Sequence, residues 1–423
     1  MAQNLAGVAV LVAVKRVHVI GAGLAGLSAA VALAQAGCSV RIYEAGPVAG
    51  GRCRSYFDRT LGCRVDNGNH LLLSGNRAAM GFLETVGARG SLAGPGGAVF
   101  PFMNMADGER WAVRPNTGRV PWWIFVPSRR VLGTSAKDYF SLLALLRARG
   151  DEVVSDLVRD GNLYRRLLEP LAVAALNTPP EEGLARLLAA VVAETLGRGG
   201  TACVPCYPAV GMSETFIDPA LAWLSARGTE IKFYHRVAAL RVNGARVVGF
   251  DNVGVGGGDA VVLAVPPWSA AVLVPGLTVP DAFQAIVNVH FKLDTAREMG
   301  FTGVIGGVAE WVFVKPGHIS VTMSAANRMA DDAVENIVAA VWQDVRRVLN
   351  LPEAMPVWRV VKERRATFAA TAAQERRRPG AFVGLENLAL AGDWTATGLP
   401  GTIEGAVRSG MVAAGALTGD TTF

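Results

Sequence analysis

Gly21-x-Gly23-x-x-Gly26, with Leu24 and Ala25 between its last two glycines, is the first run in the chain whose spacing suits chemistry. The first glycine permits a tight turn and the second lets backbone approach a pyrophosphate. The third lets the following helix pack close to the strand, and that helix directs its N-terminus at the negative charge. Glu44 stands 23 residues after Gly21, with Ala45 beside it, at the end of the next expected strand. A carboxylate there can accept the hydroxyls of a ribose. Gly50-Gly51-Arg52 follows: paired glycines expose N–H groups, and Arg52 offers a forked cation to phosphate. Cys203-Val-Pro-Cys206 has the spacing of a redox pair or half a zinc site. No second pair or nearby histidines complete a tetrahedral set, and no thioredoxin-like strand and helix flank it, so no metal is expected.

These residues need elements to hold them. Val17–Ile20 reads as a buried strand, a helix follows the glycine turn to about Ala36 before Gly37, and Val40–Tyr43 reads as a second strand. Lys137–Arg149, Glu152–Leu168 and Glu181–Leu196 read as helices, the last opened by Thr178-Pro179-Pro180 and closed by Gly197. Asn243-Gly244, between Val237–Val242 and Ala245–Phe250, predicts a hairpin. Ala260–Val265 reads as another buried strand, Asp331–Leu349 as a long amphipathic helix, and Leu388–Ala391 as a strand. A glycine-punctuated loop and a helix from about Thr402 close the chain. Nucleotide-binding pieces thus lie at the start, middle and end, which predicts two intertwined domains.

Composition narrows the class. The chain has 423 residues, 51% hydrophobic and only 18% charged, with 49 glycines and a net charge of +6. That excludes disorder, and the glycines have no collagen period. A mean hydropathy of +0.32 and a pI near 9.2 leave either a membrane protein or a globular one that handles something apolar. Val17–Val40 and Ala260–Pro280 carry no charge and are long enough to span a bilayer. The second holds four prolines, and the first is better read as strand, turn and core helix. The Leu5–Val14 run is too short to span and lacks a basic segment before it, so a cytoplasmic protein is expected. An odd count of five cysteines argues against a disulfide framework. The arginines are dispersed, so no nucleic-acid partner is expected.

Glu44 followed by Gly50-Gly51-Arg52 resembles the second signature of flavoproteins of the amine oxidase and phytoene desaturase group, which implies FAD rather than NAD. Leu390-Ala391-Gly392-Asp393-Trp394 and Gly398–Ala406 resemble the group's flavin-closing segment. The resemblance places Gly392 and Asp393 at the ribityl–phosphate portion. It places Gly401, Thr402 and Ile403 at the flavin N1/O2 edge, Val237 at the adenine, and Ala264 on a strand beneath the cofactor. No cysteine lies in this segment to form a thioether there. The implied fold class is α/β: a Rossmann-like FAD-binding domain (1–80, 205–270 and 385–423) intertwined with an α+β substrate domain (81–204 and 271–384).

Asp66-Asn67-Gly68-Asn69-His70, Pro121-Trp122-Trp123, Leu176–Pro179, Asn288-Val289-His290-Phe291 and Glu363–Phe368 narrow the resemblance to the hydroxysqualene dehydroxylase family, across about residues 16–418. It implies reductive removal of a hydroxyl from hydroxysqualene, a C30 isoprenoid, giving squalene for hopanoid biosynthesis. Protonation of the oxygen would leave an allylic cation that takes hydride from reduced flavin N5. In this fold the segment after the second signature approaches the flavin, so Asn67, Gly68, Asn69 and His70 are candidate cofactor contacts. His70, oriented by the Asp66 carboxylate, is a candidate proton donor, and His290 is another. Hydrogen bonding to flavin or backbone is the simpler reading of each. A carotene-type desaturase, an amine oxidase and a lipid carrier like the GDP-dissociation inhibitors remain alternatives. The aromatic and arginine-rich stretch from Pro121 to Arg149 suits a lipid surface, implying peripheral attachment to the inner face of the cell membrane. Contact with other enzymes of the squalene and hopanoid pathway is a further expectation. The electron donor is not legible: Gly254–Gly258 lacks the helix that a second dinucleotide site needs.

Overall fold

The computed structural model describes residues 14–158, 160–293 and 298–419, so all of the Leu5–Val14 run but its last residue lies outside them. A five-stranded parallel sheet runs in the order Glu230–Lys232, Ser39–Tyr43, Arg16–Ile20, Asp259–Leu263, Leu388–Leu390. Strands Arg16–Ile20, Asp259–Leu263 and Leu388–Leu390 are mostly apolar because both faces are covered, whereas the edge strand Glu230–Lys232 keeps two charged residues. One face packs on helices Leu24–Gln35 and Ile403–Thr418. The other meets the meander Leu240–Asn243, Arg246–Phe250, Val253–Gly254. The two helices cross so closely that a Cβ at Gly410 would lie 2.3 Å from the Ala25 carbonyl oxygen. The uncharged Val17–Val40 stretch is therefore core, and Ala260–Pro280 is a strand, the short helix Pro267–Leu273 and a turn. No helix among the described residues is long and apolar enough to cross a membrane.

The second sheet has seven strands, in the order Trp358–Phe368, Phe283–Lys292, His318–Met323, Trp311–Lys315, Gly300–Ile305, Phe100–Asn104, Arg110–Val113. Its register sorts the side chains. Val287, Val289, Phe291, Ile319, Val321, Val312 and Val314 share the face covered by helix Val334–Leu349. Directly opposed residues project to the same side, so Asn288, His290, His318, Ser320, Thr322 and Lys315 share the other face. Both sheets draw strands from separate parts of the chain, as the α/β reading with intertwined units requires.

Three local expectations need correction. Glu152–Leu168 is not one helix: Val154–Leu157 is a single turn, and a π-turn at Tyr164–Leu168 leads into helix Glu169–Leu176. Gly161 and Asn162 interrupt the pattern, and Asn162 turns away to donate 2.9 Å to the Gly133 carbonyl. The helix after Thr178-Pro179-Pro180 starts at Ala185, because Gly183 N–H closes a turn on the Pro179 carbonyl. Lys137–Arg149 divides into a 3-10 turn, Ala136–Phe140, and the helix Ser141–Leu146.

Candidate active site

The glycine loop at the end of Arg16–Ile20 is shaped by what each glycine faces. Gly21 has φ +107°, and a Cβ there would sit 2.3 Å from the Ala264 carbonyl oxygen. A Cβ at Gly26 would meet the Gly21 carbonyl oxygen at 2.0 Å and the Ala264 side chain at 3.1 Å. Ala264 thus floors the loop. Gly23 differs: a Cβ there meets nothing within 4 Å. It N-caps helix Leu24–Gln35 without a side-chain cap, so the first-turn N–H groups around Leu24 and Ala25 remain for a ligand. Gly50 N–H donates to the Ala22 carbonyl at 2.8 Å, and Gly23 pairs with Gly50. The two glycine signatures therefore form one rim, with Gly51 at φ +57° against Gly23.

Glu44 reaches back across this rim, accepting the Ala22 N–H at 2.8 Å and the Gly46 N–H at 2.7 Å. Ala45 beside it is exposed. The Glu44 carbonyl accepts the His235 N–H at 2.8 Å, so the half-buried Val237 follows the same edge. Arg52 donates to Asp393 Oδ1 at 2.6 Å and to the Ala366 carbonyl at 2.5 Å. A Cβ on Gly401 would lie 3.2 Å from Asp393 Oδ2, and Thr402 caps the helix beginning at Ile403 by accepting the Gly405 N–H at 3.1 Å. Gly392 N–H is held by Ser409 Oγ at 2.8 Å. Residues expected to contact phosphate and ribityl, from both chain ends, are thus adjacent. An uncapped helix, a cradle that a Cβ at Gly23 would fill and a forked cation fit FAD.

Asp66–His70 lies against the polar face of the second sheet. Asn69 Nδ2 donates to Ser320 Oγ at 2.7 Å and Thr322 Oγ1 at 3.0 Å, while Asn288 Nδ2 donates to the Asn67 carbonyl at 3.3 Å. Asn67 Nδ2 reaches Glu363 Oε2 at 3.3 Å, and Gly68 lies against Asn288 and His70. The expected Asp66–His70 pairing is replaced by another. Asp66 Oδ1 accepts from Ser55 Oγ at 2.7 Å and the Met212 N–H at 2.8 Å, and Oδ2 accepts from Lys315 Nζ at 2.5 Å. Burial pushes the Asp66 pKa up, but the Lys315 ammonium and these donors outweigh it and hold the carboxyl below its usual range. Lys315 ends an alternating strand, Trp-Val-Phe-Val-Lys, which was the only signal for it in the sequence.

His290 is fully buried, and its Nδ1 shares a hydrogen bond with Ser320 Oγ at 2.8 Å. The Asp66 backbone acts on the ring to raise its pKa, and Nε2 is buried without a hydrogen-bond partner among the described residues. His318 lies 5.9 Å away between ring centroids, with Nδ1 on the Pro316 carbonyl at 3.2 Å and Nε2 buried without a partner among the described residues. Burial, reinforced by His318 and Lys315, drives the His290 pKa down to about 3. Burial also lowers that of the half-buried His70 to about 4, against the opposing pull of Asp66. Both imidazoles are neutral at neutral pH.

A neutral buried His290 makes the fold acid-labile. The unfolded chain binds its proton near pH 6.5 and the folded chain only near 3, so stability is lost as pH falls through that interval. From pH 7 to 5 the loss is about 2 kcal/mol. Urea unfolding at both pH values should show at least this drop, because His70 acts with the same sign, and His290→Gln should shrink it by about 2 kcal/mol. Depressed Asp66 acts with the same sign but only below its ordinary range.

Arg378 was missed because it sits in a run, Glu375–Arg378, that reads as a solvated surface. Its side chain is instead fully buried, paired with Glu375 at 2.7 Å. It donates to the Asp393 carbonyl at 3.1 Å, the Thr397 hydroxyl at 3.0 Å and the Thr395 carbonyl, fixing the loop that follows Gly392. Cys203 is a buried thiol, pushed up to about 12 by burial and so unreactive.

The model of the "Flavin containing amine oxidoreductase" family matches residues 24–296 and 313–418, and the chain belongs to this family of flavoenzymes. Solved structures share its fold. An oxidoreductase from Methanosarcina mazei has a TM-score of 0.69 at 17% identity, over 94% of this chain and 99% of its own. Cyclohexylamine oxidase from Brevibacterium oxydans has a TM-score of 0.67 at 17% identity, over 96% and 99%. Its branch is that of the hydroxysqualene dehydroxylases. It is 48% identical over 407 residues to the Rhodopseudomonas palustris enzyme of that name, covering 95% of this chain and 97% of the relative. The Zymomonas mobilis enzyme is 46% identical over 403 residues, covering 94% and 97%. Desaturase, amine oxidase and lipid-carrier readings are disfavoured by this membership.

Proposed function

We propose that this chain is an FAD-dependent oxidoreductase that removes the hydroxyl of hydroxysqualene reductively, giving squalene. The reading is supported by a glycine-lined loop that fits FAD, in a chain 46–48% identical over 94–95% of its length to hydroxysqualene dehydroxylases. Gly21–Gly26, Glu44 and Ala45, Gly51 and Arg52, Val237, Ala264, Gly392 and Asp393, and Gly401–Ile403 would hold FAD. When bound in reduced form, FAD supplies hydride to the carbon that loses oxygen. The chain's own task is to exclude water, hold the alcohol and deliver one proton to its oxygen. Segments 1–80, 205–270 and 385–423 would bind the cofactor, and 81–204 with 271–384 the substrate. The test is anaerobic incubation of the reduced protein with hydroxysqualene. Squalene is expected; turnover of phytoene or an amine without squalene would overturn the reading.

A C30 substrate dissolves in lipid, which favours attachment to a bilayer surface. Val120, Trp122, Phe125, Phe140 and Leu143 support this: all are exposed, Phe125 by 67%. Arg129 stacks on Trp122 at 4.9 Å. Trp123, by contrast, is core and packs edge-on against Tyr139, so the exposed pair begins with Trp122 and continues at Phe125. Trp122→Asp, Phe125→Asp and Phe140→Asp together should lower partitioning onto anionic vesicles at least tenfold, since burying each such side chain is worth roughly 1.5–3 kcal/mol. Unchanged sedimentation with vesicles would remove the surface from the account.

A further inference from the structure

Of the six lysines, Lys315 alone is buried. Its side chain and that of Asp66 are only 4% and 3% exposed, on a sheet face flanked by the aromatic cluster Tyr207, Phe301 and Phe313. Removing two charges from water costs several kcal/mol per ion, and an apolar pair of similar volume is often as stable. A fold has no need of such a pair merely to pack. Register places Lys315 opposite His318, and His318 diagonal to His290. Among the described residues, each imidazole keeps one buried ring nitrogen without a hydrogen-bond partner. Unsatisfied buried groups of this kind call for a small polar partner, and a substrate hydroxyl is one.

We propose that Lys315 is the acid that protonates the departing hydroxyl, with Asp66 as the counter-charge left behind. The proposal rests on the reading above that the substrate is an allylic alcohol. A neutral imidazole is a far weaker acid than an ammonium, so His70 and His290 serve better as hydrogen-bond partners of the oxygen than as its proton source. The proton passes from Lys315 Nζ to the hydroxyl oxygen. The C–O bond breaks with its electron pair on oxygen, water leaves, and the allylic cation remains. Lys315 is then a neutral amine, and the unpaired Asp66 carboxylate faces the new cation. Charge is conserved, and the anion gains its full field at the moment the cation forms. The cation is consumed by the hydride of the proposed reaction, with reduced flavin as the two-electron donor, and solvent reprotonates Lys315.

Lys315→Arg separates an acid from a structural ion pair. Arginine keeps the cation and the partner but does not release a proton in proteins. The flavin-free Lys315→Arg protein should melt close to wild type, while kcat for hydroxysqualene falls about 10²–10⁴-fold with KM little changed. If the arginine variant turns over within about tenfold of wild type, the pair is structural and the acid assignment is overturned. Should it fail to fold, the neutral double variant Asp66→Asn, Lys315→Met decides: folded and inactive supports the proposal, folded and active defeats it. A wild-type protein that forms no squalene would instead defeat the substrate reading, so the two failures are distinguishable.

Discussion

Gly23→Val should fold normally and purify without flavin. Gly23 has φ −71°, which any residue adopts, and a Cβ there meets nothing within 4 Å. The new Cβ therefore disturbs no protein contact, and apo stability should fall by no more than about 1 kcal/mol, the usual worth of an N-cap preference. It does occupy the space in which backbone must approach pyrophosphate. FAD affinity should fall at least 100-fold, a difference of about 2.7 kcal/mol. Gly21→Val should behave in the opposite way. Its φ is +107° and its Cβ would collide with the Ala264 carbonyl. Backbone strain of about 1–3 kcal/mol and overpacking of similar size should destabilise the protein itself. Flavin-to-protein absorbance ratios and thermal melts of the two apo variants check the contrast. A Gly23→Val protein that retains flavin would show that the cradle does not hold the pyrophosphate.

Arg378→Met should have the second large effect, on both stability and cofactor. The guanidinium is fully buried and ties the Asp393 and Thr395 carbonyls and the Thr397 hydroxyl to Glu375. Methionine matches much of its volume but removes the donor to the Asp393 carbonyl, which has no other among the described residues. The Thr395 carbonyl keeps the Thr397 N–H, and the Thr397 hydroxyl keeps the Leu399 N–H. Among the described residues Glu375 retains Arg186 alone as a charged partner, at 3.2 Å. Breaking a buried pair typically costs 3–5 kcal/mol, and Glu375's second partner puts the expected loss near the low end, about 3 kcal/mol. Because the freed loop carries Asp393, the partner of Arg52, FAD affinity should fall with stability. Urea unfolding of apo protein and flavin titration measure the two separately. Lost stability with unchanged affinity would mean that Arg378 supports the fold alone.

The cofactor half of the site was legible in the sequence because its requirements are local. A glycine turn, a helix start and an acid at the next strand end must occur at fixed spacing, and each left its mark in Gly21–Gly26, Glu44 and Arg52. The polar face of the second sheet was not legible, because it is assembled by register between strands far apart in the chain. Nothing near Lys315 in the sequence announces Asp66, 249 positions away. The run of arginines ending at Arg378 misled for a related reason: a charged residue looks solvated until the carbonyls that surround it are known. The broken helix at Gly161-Asn162 and the inward Trp123 are smaller cases of tertiary contacts overriding local pattern.

The most direct test of the account is an anaerobic single turnover. Protein whose FAD has been reduced beforehand is mixed with hydroxysqualene in the absence of any other reductant, and flavin oxidation and squalene are followed together. One squalene should form for each flavin oxidised, with the two appearing at the same rate. Flavin that stays reduced while hydroxysqualene is unchanged, or flavin oxidised without squalene, would contradict it.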